Sequence, residues 1–453
     1  MDHWSREAIF YHIYTLGFCA APLRNDFSSP AVPRLEKITP WLDHIADLGA
    51  NALYLGPLFE SSAHGYDTVD YYNVDRRLGD NATLKRLSAE IEQRGLRLVL
   101  DAVFNHVGRN FWAFYDLRQR GQDSPYKDWF YNLHFGEPNQ HGDPFSYEGW
   151  SGHTSLVKLN LDNPAVRQHL FDAVAMWIEE FNIAGLRLDA ADVIDLDFLS
   201  KLAAFCKSIR PDFLLVGEVV HGDYTAWANP QRLDSVTNYE SYKGLYSSLN
   251  DANYFEIAYA LERQFGAEGL YRGLPLYNFV DNHDVDRAAS ILKNAAHLYP
   301  LYLLLFTMPG MPSIYYGSEW GAQGKRTSHS DKLLRPSIET LTQGTRNLEL
   351  TAYIQHLATI RKATPALTTG DYQQLHVAPQ QLAFLRRAEG QSAVVALNAA
   401  DQPAALELHL PDGGDYQVQD VLNDESFSIV NGILRLESVP AYGGRILISG
   451  SSR

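Results

Sequence analysis

Four groups of ionisable and polar residues stand where short apolar runs of this sequence end. The groups are Asp101 with Asn105 and His106, Arg187 with Asp189, Glu218 alone, and the run Asn282-His283-Asp284. A carboxylate beside an apolar run is costly to bury unless it is paired, and several carboxylates that face one cavity shift one another's pKa. If the fold brings the groups together, their residue types suit acid–base and nucleophilic chemistry.

Eight short runs rich in β-branched and aromatic residues alternate with longer segments of helical period. This alternation is typical of repeated βα units around a parallel sheet, and eight such units close a TIM barrel. Active sites of TIM barrels lie at the carboxyl ends of the strands, so we expect the four polar groups to converge on one pocket. The predicted strands are Ile9–Gly17, Ala52–Leu58, Leu96–Val103, Gly185–Asp189, Phe213–Glu218, Ser235–Tyr239, Tyr277–Val280 and Ser313–Tyr316.

The segments outside these runs predict three domains. The barrel comprises residues 1–106 and 162–365, with helices at Leu35–Leu48, Ala165–Glu180, Phe198–Ile209 and the apolar run Leu298–Met308. Residues 107–161 lack a clear helical period and are far too many for an ordinary βα loop, which predicts an inserted subdomain after strand 3. Short alternating strands with Gly and Asp turns predict a C-terminal antiparallel β-sandwich domain at 366–453.

Composition narrows the classes of partner. The net charge is −16, which argues against nucleic acid and anionic membrane surfaces, since both need basic patches. Aromatic side chains are numerous, with 26 Tyr, 21 Phe and 8 Trp, and rings of this kind stack on the apolar faces of sugars. Only two cysteines occur and the first residues do not resemble a signal peptide, which predicts a cytoplasmic enzyme with reduced thiols.

Two of the carboxylates are of the type that glycoside hydrolysis with retention uses. That reaction needs one carboxylate to attack the anomeric carbon and a second, protonated one to donate to the leaving oxygen, about 5 Å apart. Asp189 and Glu218 end neighbouring strands and could supply the pair. We expect Arg187 to keep Asp189 ionised and the surrounding charge to raise the pKa of Glu218. Any single carboxylate is more typical of a helix cap or an arginine partner, so the prediction depends on the whole set.

Four ordered motifs resemble those of the α-amylase superfamily, glycoside hydrolase family 13. They are DAVFNH at 101–106, GLRLDAA at 185–191, GEV at 217–219 and FVDNHD at 279–284. The resemblance implies that Asp189 is the nucleophile, that Glu218 is the acid/base and that Asp284 binds hydroxyls of the sugar in subsite −1. It also implies that His106 and His283 donate to those hydroxyls and that Arg187 orients the nucleophile.

Two further stretches point to particular branches of that family. In HGYD at 64–67, Tyr66 resembles the tyrosine that stacks on the −1 sugar, and Asp67 with Arg335 resembles the pair that recognises a terminal glucose in oligosaccharide-acting members. VKLN at 157–160 partly matches the MPKLN motif of the neopullulanase and cyclomaltodextrinase branch. Members of that branch commonly carry an N-terminal β domain that shapes a dimeric site. The residues before strand 1 are too few for such a domain, which argues against that dimer arrangement, and the oligomeric state stays open.

The resemblance implies hydrolysis of α-1,4 bonds in maltooligosaccharides, cyclodextrins or starch, with the α-glucan as the partner. A glucan transglycosylase and a trehalose-synthase-type isomerase share the first half of that reaction and remain alternatives. A non-catalytic carbohydrate-binding relative is a third alternative, although such proteins typically lose one of the three acidic residues. The chemistry requires no cofactor and we predict no metal ligand. Calcium, which many family members bind, stays open, with candidate oxygen ligands at Asn105, Asp143, Glu148 and Asp162.

Overall fold

The computed structural model describes residues 3–328 and 330–449, and its first part is a barrel of eight parallel strands. In sheet order the strands run β6-β5-β4-β3-β2-β1-β8-β7, and a bridge between Thr237 and Tyr277 joins the two ends. All eight strands occur and the TIM-barrel prediction is confirmed, although the strand predicted at Ile9–Gly17 was too long, because it extends into the short helix Thr15–Phe18. The strands are β1 Phe10–Ile13, β2 Ala52–Leu55, β3 Arg97–Ala102, β4 Gly185–Leu188, β5 Leu214–Gly217, β6 Ser235–Val236, β7 Tyr277–Phe279 and β8 Met311–Tyr315.

Alternate residues of each strand face the inside and the outside of the barrel, so the barrel has an inner and an outer core. Phe10 points inward and contacts the cluster that contains Tyr54 and Val99, whereas Tyr11 and Ile13 point outward to the helices. Successive residues of a strand face opposite sides, so the near-continuous apolar runs can fill both cores at once. The polar residues that end these runs are therefore left at the mouth of the barrel.

Most of the crossover helices lie where helical period predicts them. One prediction is wrong: the single helix expected over Leu35–Leu48 consists of 3-10 turns and a short α-helix beginning at Leu42. Pro40 explains the break, because proline has no N–H to donate and restricts the residue before it. The longer helices around the barrel are Asn81–Gln93, Pro164–Phe181, Leu196–Ile209, Tyr239–Asn250, Tyr254–Phe265, Leu298–Thr307 and Leu348–Ala363, with shorter ones at Thr15–Phe18, Leu42–Asp47, Ala288–Ile291, Ile338–Gln343 and Pro365–Thr368.

The insert after β3 contains a helix that the sequence pattern did not reveal. Helix Trp112–Arg120 buries Ala113, Phe114 and Leu117, while Trp112 and Tyr115 on its other side are exposed. Exposed aromatic residues beside buried ones obscure the helical period, which is why the segment looked irregular. The strands of the insert are His106–Gly108, Gly149–Trp150 and His153–Lys158 in one sheet, and His134–Phe135 with Phe145–Ser146 in another.

The C-terminal part is a single eight-stranded antiparallel sheet, which confirms the predicted antiparallel β domain. Leu385 near its start and Leu434 near its end share one hydrophobic core, so the sheet folds over on itself. The domain boundaries themselves remain a prediction. The strands are β9 Asp371–Val377, β10 Gln381–Ala388, β11 Gln391–Asn398, β12 Ala404–His409, β13 Tyr416–Asp420, β14 Glu425–Val430, β15 Ile433–Val439 and β16 Gly443–Ser449, in the order β9-β10-β11-β16-β13-β14-β15-β12.

Two buried arginines contact the end of helix Leu298–Thr307, and one of them, Arg386, joins the C-terminal sheet to the barrel. Arg361 donates to the carbonyl oxygens of Phe306 at 2.7 Å and Gly310 at 2.5 Å, and Arg386 of β10 donates to that of Thr307 at 2.6 Å. The last carbonyls of a helix have no partner within it and carry partial negative charge, so cationic donors suit them. The helix itself is almost entirely buried, as predicted. No helix in the described part of the chain is long and apolar enough to cross a membrane.

Replacing Arg361 by Met should lower the free energy of unfolding by about 1–3 kcal/mol, because it leaves buried carbonyl oxygens without a donor. Urea unfolding followed by circular dichroism measures the change. Arg24 is exposed and makes no side-chain hydrogen bond in the described part of the chain, so Arg24→Met should change the value by less than about 0.5 kcal/mol. Equal effects of the two substitutions would contradict the capping role of Arg361.

Candidate active site

Three carboxylates surround one buried guanidinium at the carboxyl ends of β3, β4 and β5. Nη1 of Arg187 lies 2.9 Å from Asp101 Oδ1 and 3.0 Å from Asp189 Oδ1, and Nη2 lies 2.9 Å from Glu218 Oε2. The three strands are neighbours in the barrel, and Asp101 and Arg187 are paired in register. Asp101 and Arg187 are 86 residues apart in the sequence, and Arg187 and Glu218 are 31 residues apart. The structure thus brings together polar groups that are distant along the chain.

The backbone around Asp189 and Glu218 holds the two carboxylates close together. Ala190 has a φ of 47°, a left-handed conformation that is uncommon for alanine, and its N–H donates to Glu218 Oε2 at 3.1 Å. Before the second carboxylate, a Cβ at Gly217 would lie 2.5 Å from the side chain of Leu233 and 2.9 Å from the Cβ of Ala191, which follows β4. The turn after β4 and the glycine before Glu218 therefore both serve the close approach of the two strand ends.

Asp284 follows β7 and is held by two donors. Its Oδ1 accepts from Arg335 Nη2 at 2.7 Å, and its Oδ2 lies 2.9 Å from His283 Nε2. Arg335 also donates through Nε to the carbonyl oxygen of His283 at 3.0 Å. The side chain of Asp284 remains 34% exposed, so it faces the barrel mouth rather than the core.

An aromatic wall connects Asp284 to the first cluster. Tyr66 donates to Asp101 Oδ2 at 2.9 Å, contacts His283 Nε2, and stacks on the His283 ring at 5.5 Å with an interplanar angle of 11°. Tyr14 stacks on the same ring at 5.7 Å. Asp67 lies beside this wall, and its buried Oδ1 has no hydrogen-bond partner among the described residues. The ion pairs of Arg335 are with Asp284 and Asp331, and none among the described residues joins it to Asp67.

His106 lies on the opposite side of Asp189. Its Nε2 is 3.8 Å from Asp189 Oδ2 and has no hydrogen-bond partner in the described part of the chain. Burial lowers the pKa of His106 to about 3, so the ring is neutral near pH 7. Trp150 of the insert covers this histidine, with the ring centres 5.7 Å apart. A neutral imidazole with a free nitrogen can hydrogen-bond to an uncharged hydroxyl.

The pKa shifts of the two aspartates have opposite directions. Burial raises the pKa of Asp189 well above its ordinary value; Arg187 opposes this, while Glu218 and other carboxylates raise it further. Burial also acts to raise the pKa of Asp284, but His283 and the nearby arginines outweigh it and lower the pKa. We expected Arg187 to keep Asp189 ionised, and the direction found for Asp189 is the reverse. The main cause is burial of the carboxyl group, and the neighbouring carboxylates Glu218 and Asp101 add to it, so that Arg187 does not offset the rise.

Two tyrosines at the site were not among the predicted residues. Tyr239, just past β6, donates to Glu218 Oε1 at 3.5 Å and accepts from Asn282 Nδ2 at 3.4 Å. Tyr14, directly after β1, stacks on His283. Both lie within a few residues of the end of a barrel strand, and closeness to a strand end is the signal that identified the carboxylates. Applied to aromatic residues as well as charged ones, the same rule would have found them.

Comparison with known proteins shows the family to which the chain belongs. A family model described as "Alpha amylase, catalytic domain" matches residues 31–347, and one described as "Maltogenic Amylase, C-terminal domain" matches residues 372–446. The chain belongs to the α-amylase family. The first match covers the strand-end residues described above, so this α-amylase family member is a glycoside hydrolase.

Similar proteins include a neopullulanase, a cyclomaltodextrinase and a debranching enzyme. The chain is 33% identical to neopullulanase 2 of Thermoactinomyces vulgaris, over 99% of this chain and 78% of that protein. It is 32% identical to a cyclomaltodextrinase of a Bacillus species, over 87% of this chain and 73% of that protein. The crystal structure of a debranching enzyme from Nostoc punctiforme superposes with a TM-score of 0.82 at 29% identity, over 99% and 100% of the two chains.

The three carboxylates among the candidate calcium ligands are each engaged by another side chain. Asp143 is paired with Arg109 at 2.8 Å, Glu148 is paired with Lys158 at 2.6 Å, and Asp162 accepts from Tyr131. Calcium needs six to eight oxygen ligands in one place, and these carboxylates are engaged elsewhere. No cluster of three or more ionisable ligands suited to a metal occurs in residues 3–328 and 330–449. We therefore assign no step to a metal.

Proposed function

We propose that this protein is a retaining α-glucan hydrolase that cleaves α-1,4 bonds in maltooligosaccharides, cyclodextrins or starch through a covalent glycosyl-enzyme. The observation that carries the proposal is the shared guanidinium of Arg187, which contacts Asp189 at 3.0 Å and Glu218 at 2.9 Å. Two carboxylates that contact one guanidinium lie close together. Retaining enzymes need such closeness, because their two carboxyl groups are about 5 Å apart. Inverting enzymes need a wider gap to admit water between carboxylate and sugar.

The two carboxylates have different roles in each half-reaction. Asp189 attacks the anomeric carbon while Glu218 gives its proton to the glycosidic oxygen, so the leaving chain departs as a neutral alcohol. Glu218, now ionised, takes a proton from water as the water oxygen attacks the same carbon and releases Asp189. Each step makes and breaks one bond at that carbon, and the proton returns to Glu218.

The charge of the site supplies the proton that this mechanism needs. Asp189 lies in a cluster with three further carboxylates and two arginines, and burial with the neighbouring carboxylates raises the pKa of Asp189, so the cluster can hold a proton there. In a tightly coupled cluster that proton belongs to the set rather than to one residue. A sugar ring between Asp189 and Asp284 leaves Glu218 as the carboxyl group nearest the leaving oxygen, and the proton is used there.

The residues around Asp284 support binding of a sugar next to Asp189. The unpartnered Nε2 of His106 and Nδ1 of His283 provide hydrogen-bond capacity, and Asp284 can accept from hydroxyls. Tyr66 offers a ring to one face of the sugar. The relatives named a neopullulanase and a cyclomaltodextrinase have names that refer to α-glucans, which favours an α-glucan here.

The test is the configuration of the first product. Purified protein is incubated with maltoheptaose, β-cyclodextrin and soluble starch, and proton NMR records the anomers before they equilibrate. Retention predicts the α-anomer first; an initial β-anomer would overturn the mechanism. The number of reducing ends, measured in the same samples, should rise. A constant number would favour an isomerase or transglycosylase, and no change in any substrate would favour a non-catalytic protein.

A further inference from the structure

A cavity of about 70 Å³ lies between the barrel and the C-terminal sheet, at the end of the barrel opposite to the carboxylates. Its barrel side is formed by residues that precede β1, β7 and β8, and its other side by residues around the start of β9 together with Arg386 of β10. About 10–15 Å³ is enough to hold one water molecule, so this cavity has room for a small polyatomic ion.

The lining of this cavity carries an excess of positive charge. In the described part of the chain, three arginines line it, Arg6, Arg272 and Arg386, against one acidic residue, Asp371. Asp371 is paired with Arg272 at 2.9 Å, which leaves Arg6 and Arg386 without a carboxylate of their own among the lining residues. A cavity with an excess of two positive charges attracts an anion, although the chain as a whole is acidic.

Two positive charges beside the cavity are fully buried. Arg386 lines it, and Arg361 donates to the carbonyl oxygen of Gly310, which also lines it. All described hydrogen bonds of both guanidinium groups go to backbone carbonyl oxygens, which carry only partial negative charge. Burial lowers the pKa of each arginine to about 9, and the charge of Arg361 contributes to the lowering at Arg386. A buried charge without a counterion is costly, so both groups favour an anion in the adjoining space.

A buried hydroxyl group at the same cavity has no hydrogen-bond partner. Tyr372 lines the cavity and is 3% exposed, and its Oη makes no hydrogen bond among the described residues. Burial raises the pKa of Tyr372, so the hydroxyl keeps its proton and can donate it. A buried donor that lacks an acceptor destabilises the fold, and an anion in the cavity would supply the acceptor.

We propose that this cavity binds one small inorganic oxyanion, phosphate or sulfate, and that the bound ion joins the barrel to the C-terminal sheet. Several oxygens of one ion can accept from more than one guanidinium group and from the Tyr372 hydroxyl at once, and planar guanidinium groups suit oxyanions. Arg6 and Arg272 belong to the barrel, whereas Tyr372 and Arg386 belong to the sheet, so the ion lies between the two parts. The site is separate from the barrel mouth and does not depend on the mechanism proposed there.

Binding is measured with inorganic phosphate by equilibrium dialysis of the purified protein, in a buffer free of other oxyanions and at constant ionic strength. The unaltered protein should bind phosphate saturably. Arg6→Met and Arg272→Met each remove one guanidinium group from the lining, and each should raise Kd by about tenfold or more. Arg435→Met is the matched control and should leave Kd unchanged, because Arg435 is, like Arg272, an exposed arginine paired with a carboxylate at 2.9 Å.

A second measurement follows the midpoint of thermal unfolding, Tm, with and without phosphate. A ligand that binds only the folded protein raises Tm, so Tm of the unaltered protein should rise with phosphate beyond the effect of the salt on the protein surface. Tyr372→Phe tests the hydroxyl. Without phosphate this substitution should not lower Tm, because it removes a donor that has no acceptor. With phosphate, its rise in Tm should be smaller than that of the unaltered protein.

Three results would overturn the inference. The first is that the unaltered protein binds no phosphate. The second is that it binds phosphate with a Kd that neither Arg6→Met nor Arg272→Met changes, since the ion would then lie elsewhere on the protein. The third is that Tyr372→Phe keeps the full rise in Tm, since the hydroxyl would then not contact the ion. Substitutions in three segments are used so that misfolding of one variant does not decide the outcome.

Discussion

Glu218→Gln should lower kcat/KM on maltoheptaose by about 10²- to 10⁴-fold, since the amide cannot give a proton to the leaving oxygen. The substitution keeps the shape of the side chain and its contact with the Ala190 N–H at one oxygen. α-Glucosyl fluoride should respond differently, because fluoride leaves without protonation and kcat/KM reports only the first half-reaction. We expect that value to stay within about tenfold, while kcat falls because water loses its base. Rapid-quench mass spectrometry should then detect the accumulated glycosyl-enzyme.

A matched control separates this role from a general effect of charge. Glu268 is exposed and lies away from the barrel mouth, so Glu268→Gln should leave both substrates unaffected. Equal losses of kcat/KM on maltoheptaose and on the fluoride in Glu218→Gln would contradict the assignment of Glu218 as the acid.

Asp189→Ala should lose at least about 10⁴-fold in kcat on either substrate, since no covalent intermediate can form. Removing the side chain also leaves a space at the β face of the sugar. Azide can enter that space and attack the anomeric carbon of α-glucosyl fluoride directly, so that a C–N bond forms as the C–F bond breaks. The product should be β-glucosyl azide, identified by NMR.

The same reagent gives the opposite product when the other carboxylate is removed. In Glu218→Ala, Asp189 still forms the β-linked glycosyl-enzyme, and azide attacks from the α face to give α-glucosyl azide. Exchanged configurations in the two variants would reverse the assigned roles. Asp197→Ala, an exposed substitution on helix Leu196–Ile209, should show neither loss of activity nor azide product.

The amino-acid sequence by itself determined the barrel and its polar strand ends. All eight strands were predictable because each is a short apolar run, and local patterns of this kind depend only on neighbouring residues. Asp101, Arg187, Asp189 and Glu218 could be placed at one mouth because every barrel strand ends on the same side. The errors over Leu35–Leu48 and in the insert arose where Pro40 and exposed aromatic residues altered the local pattern.

The tertiary structure alone decided how the side chains from different loops pair. It joined Arg335 to Asp284 rather than to Asp67. It also buried Asp189 beside two further carboxylates on Arg187, and burial first and those charges second reversed the expected direction of the Asp189 pKa. These features depend on distances between segments far apart in the chain, and no local pattern encodes such distances. Burial and charge at a site follow from all the segments packed around it at once.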